Sequence, residues 1–374
     1  MDNGKYAAIY FPLSIIHFPF STNMLSPFGS IYGAIANARN SLYRKGIFKS
    51  FSLGAPTVSV GNITVGGTGK TPLVAFIAEI LNENGEKVCI LTRGYGRENE
   101  RERVLVSDGK AILADVKQAG DEPLELAQKL LEKAVIVADA NRVEAGFWAC
   151  EKFGITAFVL DDGFQHQRIR RDLDIVCVDA TNPFGNGKVL PSGVLRESLA
   201  NLKRADAIVI TRANLIDEKQ ISNLKSKISE FAKCPIFLSE NKISNLVNLK
   251  EFPAKAQRAQ KEGGESKKGG AFAFCALGNP NNFFEQLKRE NFNLVSSQTF
   301  PDHHFYKQKD IAELEKKAKQ TGAESLITTA KDAVKLKDLK FDLPCFVAES
   351  EMIFQDEKKL REIINAVFNP KSKI

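Results

Sequence analysis

The residues best suited to chemistry lie in the stretch VGNITVGGTGKTP, residues 60 to 72. Its glycines would let backbone N–H groups close around phosphate oxygens, Lys70 would add a positive charge, and the Thr71 hydroxyl would hold Mg²⁺. Thr64, however, stands where the usual loop has its first glycine. The stretch predicts a nucleotide site with these contacts: Thr64, Val65, Gly66, Gly67, Thr68, Gly69, Lys70 and Thr71.

A pair of carboxylates ends the pattern ITAFVLDDG, in which the apolar run TAFVL leads directly into Asp161 and Asp162. Magnesium between nucleotide phosphates prefers hard oxygen ligands, and such sites usually take one from the end of a neighbouring strand. Asp161 and Asp162 are therefore candidate metal ligands. A structural turn or a helix cap would show the same letters.

These residues need a scaffold, and short apolar runs alternate with helical patterns from residue 56 onward. Runs that are apolar throughout, separated by helices, are typical of a parallel sheet covered on both faces. We expect an α/β fold, a P-loop NTPase-type, mostly parallel sheet covered by helices. Its predicted strands are TVSVGN, KVCILTRG, AVIVAD, ITAFVLDDG, DIVCVDA, DAIVITR and PIFLSE.

Near residue 254 the composition changes to AKAQRAQKEGGESKKGG, which is typical of a flexible loop. The later runs AFAFCALG, LVSSQTF, SLITTAKD and PCFVAES predict a second, smaller α/β domain, closed by a helix from about Glu357 to Phe368. We expect a membrane-associating segment at residues 1–50 and a P-loop core at residues 51–240. A linker with a flexible basic insert follows at residues 241–270, and a second domain that closes the active-site cleft at residues 271–374.

The N-terminal stretch YAAIYFPLSIIHFPF, residues 6–20, is apolar but shorter than the roughly 20 residues of a membrane-spanning helix. The helical pattern that follows carries basic residues beside an apolar face formed by Ile31, Ile35, Ala38 and Leu42. This arrangement is typical of a helix lying in a membrane interface. The alternative is a hairpin packed on the protein's own core.

The overall composition does not distinguish between classes of binding partner as clearly as the motifs do. The 52 Lys and Arg against 45 Asp and Glu give a net charge of +7, compatible with an anionic lipid surface, a phosphorylated substrate or nucleic acid. No nucleic-acid-binding motif accompanies this charge, so we expect no nucleic-acid partner. The six cysteines form no CxxC pair and most lie in apolar runs, which favours reduced thiols over disulfides or zinc.

Several longer stretches are unusually specific: DDGFQHQRIRRDLDIVCVDA, FGNGKVLPSGVLRE, LTRGYGR, AGDEP, PDHHFY and TTAKDAVK. With the glycine loop, they make the chain from about residue 25 onward resemble the tetraacyldisaccharide 4'-kinase family of lipid A biosynthesis. The resemblance implies a P-loop fold in two α/β domains with a membrane-associating N-terminus. It also implies transfer of the ATP γ-phosphate to the 4'-hydroxyl of a tetraacylated glucosamine disaccharide 1-phosphate, at the cytoplasmic face of the bacterial inner membrane.

The family's own loop begins with GN and a Ser/Thr-containing stretch, so Thr64 is in keeping with the resemblance. The basic insert at 254–270 looks longer than the family usually carries. The family's catalytic aspartate and histidine match Asp121 in AGDEP and His303 in FPDHHFY, a pair that would act as a base on the sugar hydroxyl. From the residues alone, Asp121 could equally cap a helix, and His304 is the adjacent alternative.

Further candidates flank these motifs. Arg196 could stabilise phosphate or transition-state charge and Glu197 could add a carboxylate to the Mg²⁺ site, although a surface ion pair would look the same. Polar contacts to metal or substrate are expected from residues that follow strands: Arg93, Gln165 and His166. Lys331 and Asp332 in TTAKD end a strand of the second domain, and we expect them to face the nucleotide.

An alternative hypothesis is that the protein binds a nucleotide but acts as an ATPase switch rather than as a kinase. Membrane-associated ATPase switches of the partition and septum-positioning type have a loop that reads KGGxGKT. Here Val65 holds the place of their signature lysine, which argues against this alternative.

Overall fold

The computed structural model describes residues 26–252 and 269–368. The apolar segment 6–20 and almost all of the basic insert at 254–270 lie outside the described residues. In the described part, twelve strands form one sheet in the order β10-β9-β11-β12-β8-β7-β6-β1-β5-β2-β4-β3. They are β1 (Thr57–Asn62), β2 (Val88–Thr92), β3 (Val104–Asp108), β4 (Ala134–Ala138), β5 (Ala157–Asp161), β6 (Leu173–Asp179), β7 (Ala207–Thr211), β8 (Ile236–Asn248), β9 (Ala271–Cys275), β10 (Leu294–Thr299), β11 (Ser325–Thr329) and β12 (Cys345–Phe354).

The helices cover this sheet and separate most of its parallel strands, as the alternation of patterns predicts. They are α1 (Ser26–Arg44), α2 (Lys70–Glu83), α3 (Val116–Ala119), α4 (Asp121–Lys129), α5 (Arg142–Phe153), α6 (Glu218–Ser229), α7 (Pro280–Arg289), α8 (Gln308–Gln320), α9 (Ala330–Ala333) and α10 (Glu357–Phe368). Short 3₁₀ helices occupy Leu199–Arg204 and Ala213–Leu215. The α/β class is confirmed.

Strand β1 lies in the middle of the sheet, parallel to β5 on one side and β6 on the other. Every residue of these three strands is buried, as is typical of parallel strands covered on both faces. The register sets Val60 beside Asp161, so the glycine loop and the acid-tipped strand end at the same edge. The edge strand β3 runs antiparallel to β4, and the sequence reading did not include it.

The two parts of the chain are joined through β8. Its first residues pair parallel with β7, and its remainder pairs antiparallel with β12, from Ser239 with Phe354 to Asn248 with Phe346. Strands β9, β10 and β11 continue the sheet beyond β12. The expected boundary after residue 240 therefore falls inside a strand, and the division into domains stays a prediction.

Helix α1 leaves an apolar face uncovered. Phe28, Ile31 and Ile35 are 62%, 58% and 64% exposed, whereas Gly29 and Gly33 approach the segment that carries Val189. No helix within residues 26–252 and 269–368 combines the length and apolarity needed to cross a bilayer. The described cysteines, all six of the chain, are free thiols, as expected.

Candidate active site

The glycine loop links β1 to α2, as the sequence predicts. Asn62, the last residue of β1, donates a hydrogen bond from Nδ2 to Thr68 Oγ1 at 2.8 Å, and Thr211 Oγ1 donates to the Thr68 carbonyl at 3.0 Å. Gly69 caps α2 in the left-handed conformation (φ 80°), where a side chain would be strained and would press on Thr211. Lys70 is the first helical residue, so its ammonium sits at the positive end of the helix dipole.

Thr64 lies in a segment whose backbone is paired with a remote part of the chain. It forms an antiparallel bridge with Leu195, and the next residue, Val65, donates its N–H to the Val194 carbonyl at 2.8 Å. Arg196 then donates its N–H to the Ile63 carbonyl at 2.7 Å. The start of the loop is therefore paired with the segment that delivers the Arg196 side chain.

Asp162 is held by two cations. Its carboxylate accepts hydrogen bonds from Arg196 Nη1 at 2.7 and 2.8 Å, and it lies 3.4 Å from Lys70 Nζ. Burial alone would raise the pKa of Asp162, but Arg196 and Lys70 outweigh burial and hold it well below its usual range. Asp162 also adopts a positive φ of 51°, which is uncommon for a residue with a side chain and typical of functional sites.

Asp161 is buried and has a different environment. Its carboxylate accepts one hydrogen bond, from Thr92 Oγ1 at 2.9 Å. Burial and the nearby carboxylates of Glu122 and Asp162 raise the pKa of Asp161 to about 6, against the lowering effect of Lys70. A buried carboxylate surrounded by negative charge is stabilised by an added cation.

The donors at this edge fit Mg²⁺. Magnesium is usually held by one or two carboxylates together with waters and substrate phosphates rather than by a complete protein cage. The Asp161 carboxylate and the Thr71 hydroxyl are the oxygen donors suited to the ion, while Asp162 already pairs with Lys70 and Arg196.

Asp121 and His303, 182 residues apart, are in direct contact. His303 Nδ1 lies 3.0 and 2.9 Å from the two carboxylate oxygens of Asp121. Asp121 is the first residue of α4, and the residue before it, Gly120, has φ 88° and lies so close to the Tyr95 carbonyl that a Cβ would be 2.7 Å from that oxygen. Asp121 is therefore not an N-cap but a buried partner of His303, which itself has φ 61°.

The neighbouring histidine has another role. His304 Nε2 lies 3.1 Å from Asp310 Oδ2, and its ring stacks on Phe300 at a centroid distance of 4.8 Å. These contacts tie His304 to its own part of the fold. The structure thus favours His303 over His304 as the partner of Asp121.

Two lysines surround the Asp121 carboxylate. Lys331 Nζ lies 3.9 Å from Asp121, 3.4 Å from Glu122 and 3.3 Å from Asp302. Lys335 Nζ, only 1% exposed, lies 3.5 Å from Asp121 and from Asp332. The lysines therefore connect α4 of the first part of the chain with α9 of the second.

These charges set the protonation of the pair. Burial would raise the pKa of Asp121, but the hydrogen bond from His303 and the charges of Lys331 and Lys335 hold it well below its usual range. The same hydrogen bond raises the pKa of His303, opposed by burial and by Lys331. With Asp121 ionised, its carboxylate accepts a hydrogen bond from Nδ1–H, which leaves Nε2 as the proton acceptor.

Two expected site carboxylates are engaged elsewhere. Asp332 is fully buried and accepts hydrogen bonds from the Tyr306 hydroxyl, the Thr329 hydroxyl and the Ala276 N–H. A side chain with no exposed surface does not face a nucleotide, so the structure gives Asp332 a structural role. Its neighbour Lys331 contacts Asp121 and also Asp302, and its contact with a nucleotide stays a prediction.

Glu197 is likewise saturated and 2% exposed. Its carboxylate accepts hydrogen bonds from Arg204 Nη2 at 2.7 Å, Gln165 Nε2 at 2.9 Å and Asn40 Nδ2 at 2.9 Å. Since Asn40 belongs to α1, Glu197 attaches that helix to the core, and these bonds favour this role over metal binding. Gln165 serves the same attachment, because Arg39 donates to its carbonyl at 3.0 Å.

His166 and Arg93 follow the strands β5 and β2. Burial and four nearby arginines lower the pKa of His166, so its imidazole is neutral. Arg93 follows β2, lies 3.8 Å from Glu100 and stacks over Tyr95. Their substrate contacts stay predictions.

Sequence reasoning missed three residues of the site. Glu122 connects the surroundings of Asp161 with those of the Asp121–His303 pair, since it raises the pKa of Asp161 and forms an ion pair with Lys331. Arg142 donates to the Asp161 carbonyl at 2.7 Å, and Lys335 contacts Asp121. Of these three residues, only Glu122 lies in a motif that could have indicated its role, as the second acidic residue of AGDEP.

A glycine loop between a central parallel strand and the following helix, with an acid-tipped strand beside it, defines this chain as a P-loop nucleotide-binding protein. A sequence profile described as Tetraacyldisaccharide-1-P 4'-kinase matches residues 21–369. The chain therefore belongs to the tetraacyldisaccharide-1-P 4'-kinase family, and the resemblance of its motifs is confirmed.

Individual relatives agree. Tetraacyldisaccharide 4'-kinase of Desulfotalea psychrophila is 37% identical over 323 residues, covering 86% of this chain and 90% of the relative. The enzyme of the same name from Pelobacter propionicus is 37% identical over 344 residues, covering 91% of each. A crystal structure of LpxK from Aquifex aeolicus in complex with ATP matches with a TM-score of 0.74 and 31% identity, covering 93% of this chain and 99% of that one.

Proposed function

We propose that this protein transfers the γ-phosphate of ATP to the 4'-hydroxyl of a tetraacylated glucosamine disaccharide 1-phosphate in lipid A biosynthesis. Family membership supports the reaction. The single observation that carries it is the Asp121–His303 pair, 2.9 Å apart. Its surroundings support a place near the glycine loop, because Gly278 approaches both Asp302 and Gly67, and because Glu122 raises the pKa of Asp161. A phosphate cradle alone would suit any nucleotide-binding protein, whereas a base beside it suits a hydroxyl acceptor.

The loop and its cations would bind the triphosphate. Backbone N–H groups of the glycine stretch and the start of α2 would hold phosphate oxygens, with Lys70 at the β- and γ-phosphates. Asp162 positions the Lys70 and Arg196 side chains before the nucleotide arrives, and Arg196 would stabilise charge on the transferring group. Thr71 and Asp161 would hold Mg²⁺, which neutralises phosphate charge when bound.

The Asp121–His303 pair would accept the proton. The acceptor oxygen forms its bond to the γ-phosphorus while the bond from that phosphorus to the bridging oxygen of ADP breaks, and the hydroxyl proton passes to His303 Nε2. Asp121 stabilises the resulting imidazolium through Nδ1–H. A small hollow beside the pair, lined by Tyr95, Gly96, Gly120 and Phe305, is where the hydroxyl would enter.

We place the protein at the cytoplasmic face of the bacterial inner membrane, associated peripherally or monotopically. The exposed apolar face of α1 supports this location, because such a face is stable in a lipid interface. A membrane-bound enzyme could phosphorylate a headgroup whose acyl chains remain in the bilayer. The division into a core and a closing second domain also belongs to this proposal, since Asp121 and His303 come from different parts of the chain.

A product assay tests the proposal. The purified full-length protein is incubated with Mg²⁺, ATP and the tetraacylated disaccharide monophosphate, and the lipid is analysed by mass spectrometry. The expected product carries one added phosphoryl group at the 4'-position, and ATP consumption should depend on the lipid. ATP turnover without lipid phosphorylation, driven by a protein partner or DNA, would instead favour the ATPase switch.

A further inference from the structure

A cavity of about 590 Å³ lies between the C-terminal half of α1 and the N-terminal ends of β6 and β7. This volume falls in the range of about 300–1,000 Å³ typical of small-molecule sites. The phosphate loop follows the opposite, C-terminal end of β1, which runs parallel to β6. The seven residues of β6 span roughly 20 Å. The cavity is therefore separate from the active site.

The cavity is strongly basic. Five arginines and lysines line it against two aspartates: Arg44, Arg170, Arg171, Lys203 and Arg204, with Asp174 and Asp206. Asp174 already pairs with Arg171 at 2.7 Å, and Arg204 pairs with Glu197 at 2.7 Å. Within residues 26–252 and 269–368, Arg44, Arg170 and Lys203 have no salt bridge, so three positive charges remain for an anion.

Exposed apolar side chains follow α1, in a segment that contacts the wall of this cavity. Ile47, Phe48 and Phe51 are 62%, 42% and 38% exposed. Phe51 pairs with the strand-like segment at Ile169 and accepts a hydrogen bond from the Arg170 N–H at 2.9 Å, while Phe48 contacts Tyr43, a residue of the cavity wall. Apolar residues that protrude next to clustered cations are typical of surfaces that enter an anionic lipid interface.

We propose that this cavity binds the phosphate of an anionic phospholipid headgroup, with Ile47, Phe48 and Phe51 inserted among the neighbouring lipids. The proposal rests on the membrane location in the proposed function and adds a second attachment point. The same helix carries both the cavity and the connection to the active site, since Arg39 and Asn40 of α1 bond to Gln165 and Glu197. A bound headgroup would therefore orient the cleft toward the bilayer.

The test measures binding of the full-length protein to vesicles of phosphatidylcholine, with and without one quarter phosphatidylglycerol, by co-sedimentation. The readout is the ratio of the two partition coefficients, so apolar insertion common to both vesicles cancels. The double variant Arg170→Gln/Lys203→Gln should lower this ratio about fivefold for each removed charge. The matched control is Lys316→Gln/Lys319→Gln, which removes two exposed charges from α8.

A second variant separates a cavity from general surface charge. Ala200 is exposed and lines the cavity, so Ala200→Phe places a phenyl ring against it and narrows it without changing any charge. It should also lower the ratio severalfold. Adding soluble glycerol phosphate should compete with the vesicles if the cavity recognises phosphate, and competition without any preference for anionic vesicles would mean that a free phosphate compound is the ligand.

Equal ratios for the wild type, Ala200→Phe and Arg170→Gln/Lys203→Gln would overturn the proposal. The proposal would also be overturned if Lys316→Gln/Lys319→Gln lowered the ratio as much as Arg170→Gln/Lys203→Gln. The preference for anionic vesicles would then come from the net charge of the protein and not from the cavity. The vesicle assay needs neither ATP nor the disaccharide. A failure here is therefore distinguishable from a failure of the proposed kinase reaction.

Discussion

The phosphate loop and the Asp121–His303 pair are built differently, although Gly278 approaches both the loop at Gly67 and the residue before His303. The loop is continuous in sequence, and its geometry follows from a strand, three glycines and a helix start. The pair joins the start of α4 to a loop near residue 303, and it depends on Lys331 of α9 and on Lys335, two residues beyond the end of that helix. Local geometry therefore holds the nucleotide end of the site, whereas tertiary packing holds the acceptor end.

Removing the positive charge of Lys70 should give the largest loss of activity. Lys70→Ala removes the charge at the transferring phosphate and should lower kcat by about 10³–10⁵-fold, the range for a single transition-state cation. The unfolding midpoint should stay near that of the wild type, since the loop is held by backbone bonds. Initial-rate assays compare it with Lys87→Ala, an exposed lysine before β2. Equal rates for the two variants would contradict the role of the loop.

Changing the pair should cost turnover more than nucleotide affinity. Asp121→Asn and His303→Ala should each lower kcat by about 10²–10⁴-fold, the usual contribution of a general base. Since the two residues act as a unit, the double variant should lose about as much as one single variant. Steady-state kinetics and ATP-binding calorimetry check both statements. Losses that multiply in the double variant would show that the residues act independently.

Lys335→Met tests whether tertiary packing supports the pair. The substitution leaves the buried carboxylates of Asp121 and Asp332 without their shared cation, and it should destabilise the fold by about 3–5 kcal/mol. Denaturant unfolding measures the change. Lys337→Met, which alters an exposed lysine two residues away, is the control. Similar stability of both variants would remove the structural link between the pair and α9.

The smallest expected effect is a displacement of the pH profile. Because Asp121 raises the pKa of His303, the unprotonated base forms only at higher pH, and kcat/KM should rise with pH as the imidazole loses its proton. Asp121→Asn removes the carboxylate that raises the pKa of His303. The residual kcat/KM of this variant should therefore begin to rise at a lower pH than that of the wild type. A limb that stays in place would mean that another group is titrating.

The same contrast explains what could be predicted from sequence. Strand β1, the start of α2 and the end of α10 were predicted at their observed residues, because glycines, apolar runs and capping patterns are local. The Asp121–His303 contact came from family resemblance, since no local pattern relates residues 182 positions apart. The hydrogen bonds of Asp332 and Glu197 could not be predicted for the same reason, because their partners, such as Tyr306 and Asn40, lie on remote segments. Their roles as ligands stay predictions.

The β8–β12 pairing constrains how nucleotide can enter and leave. A slide of one part of the sheet past the other by a single residue would turn every side chain of β8 to the opposite face. Bending or twisting the two-stranded ribbon preserves all of its hydrogen bonds. We therefore expect the two parts of the chain to move apart by bending or twisting of this ribbon. Substitutions that stiffen the ribbon should then slow product release, although they lie away from the proposed substrate-binding residues.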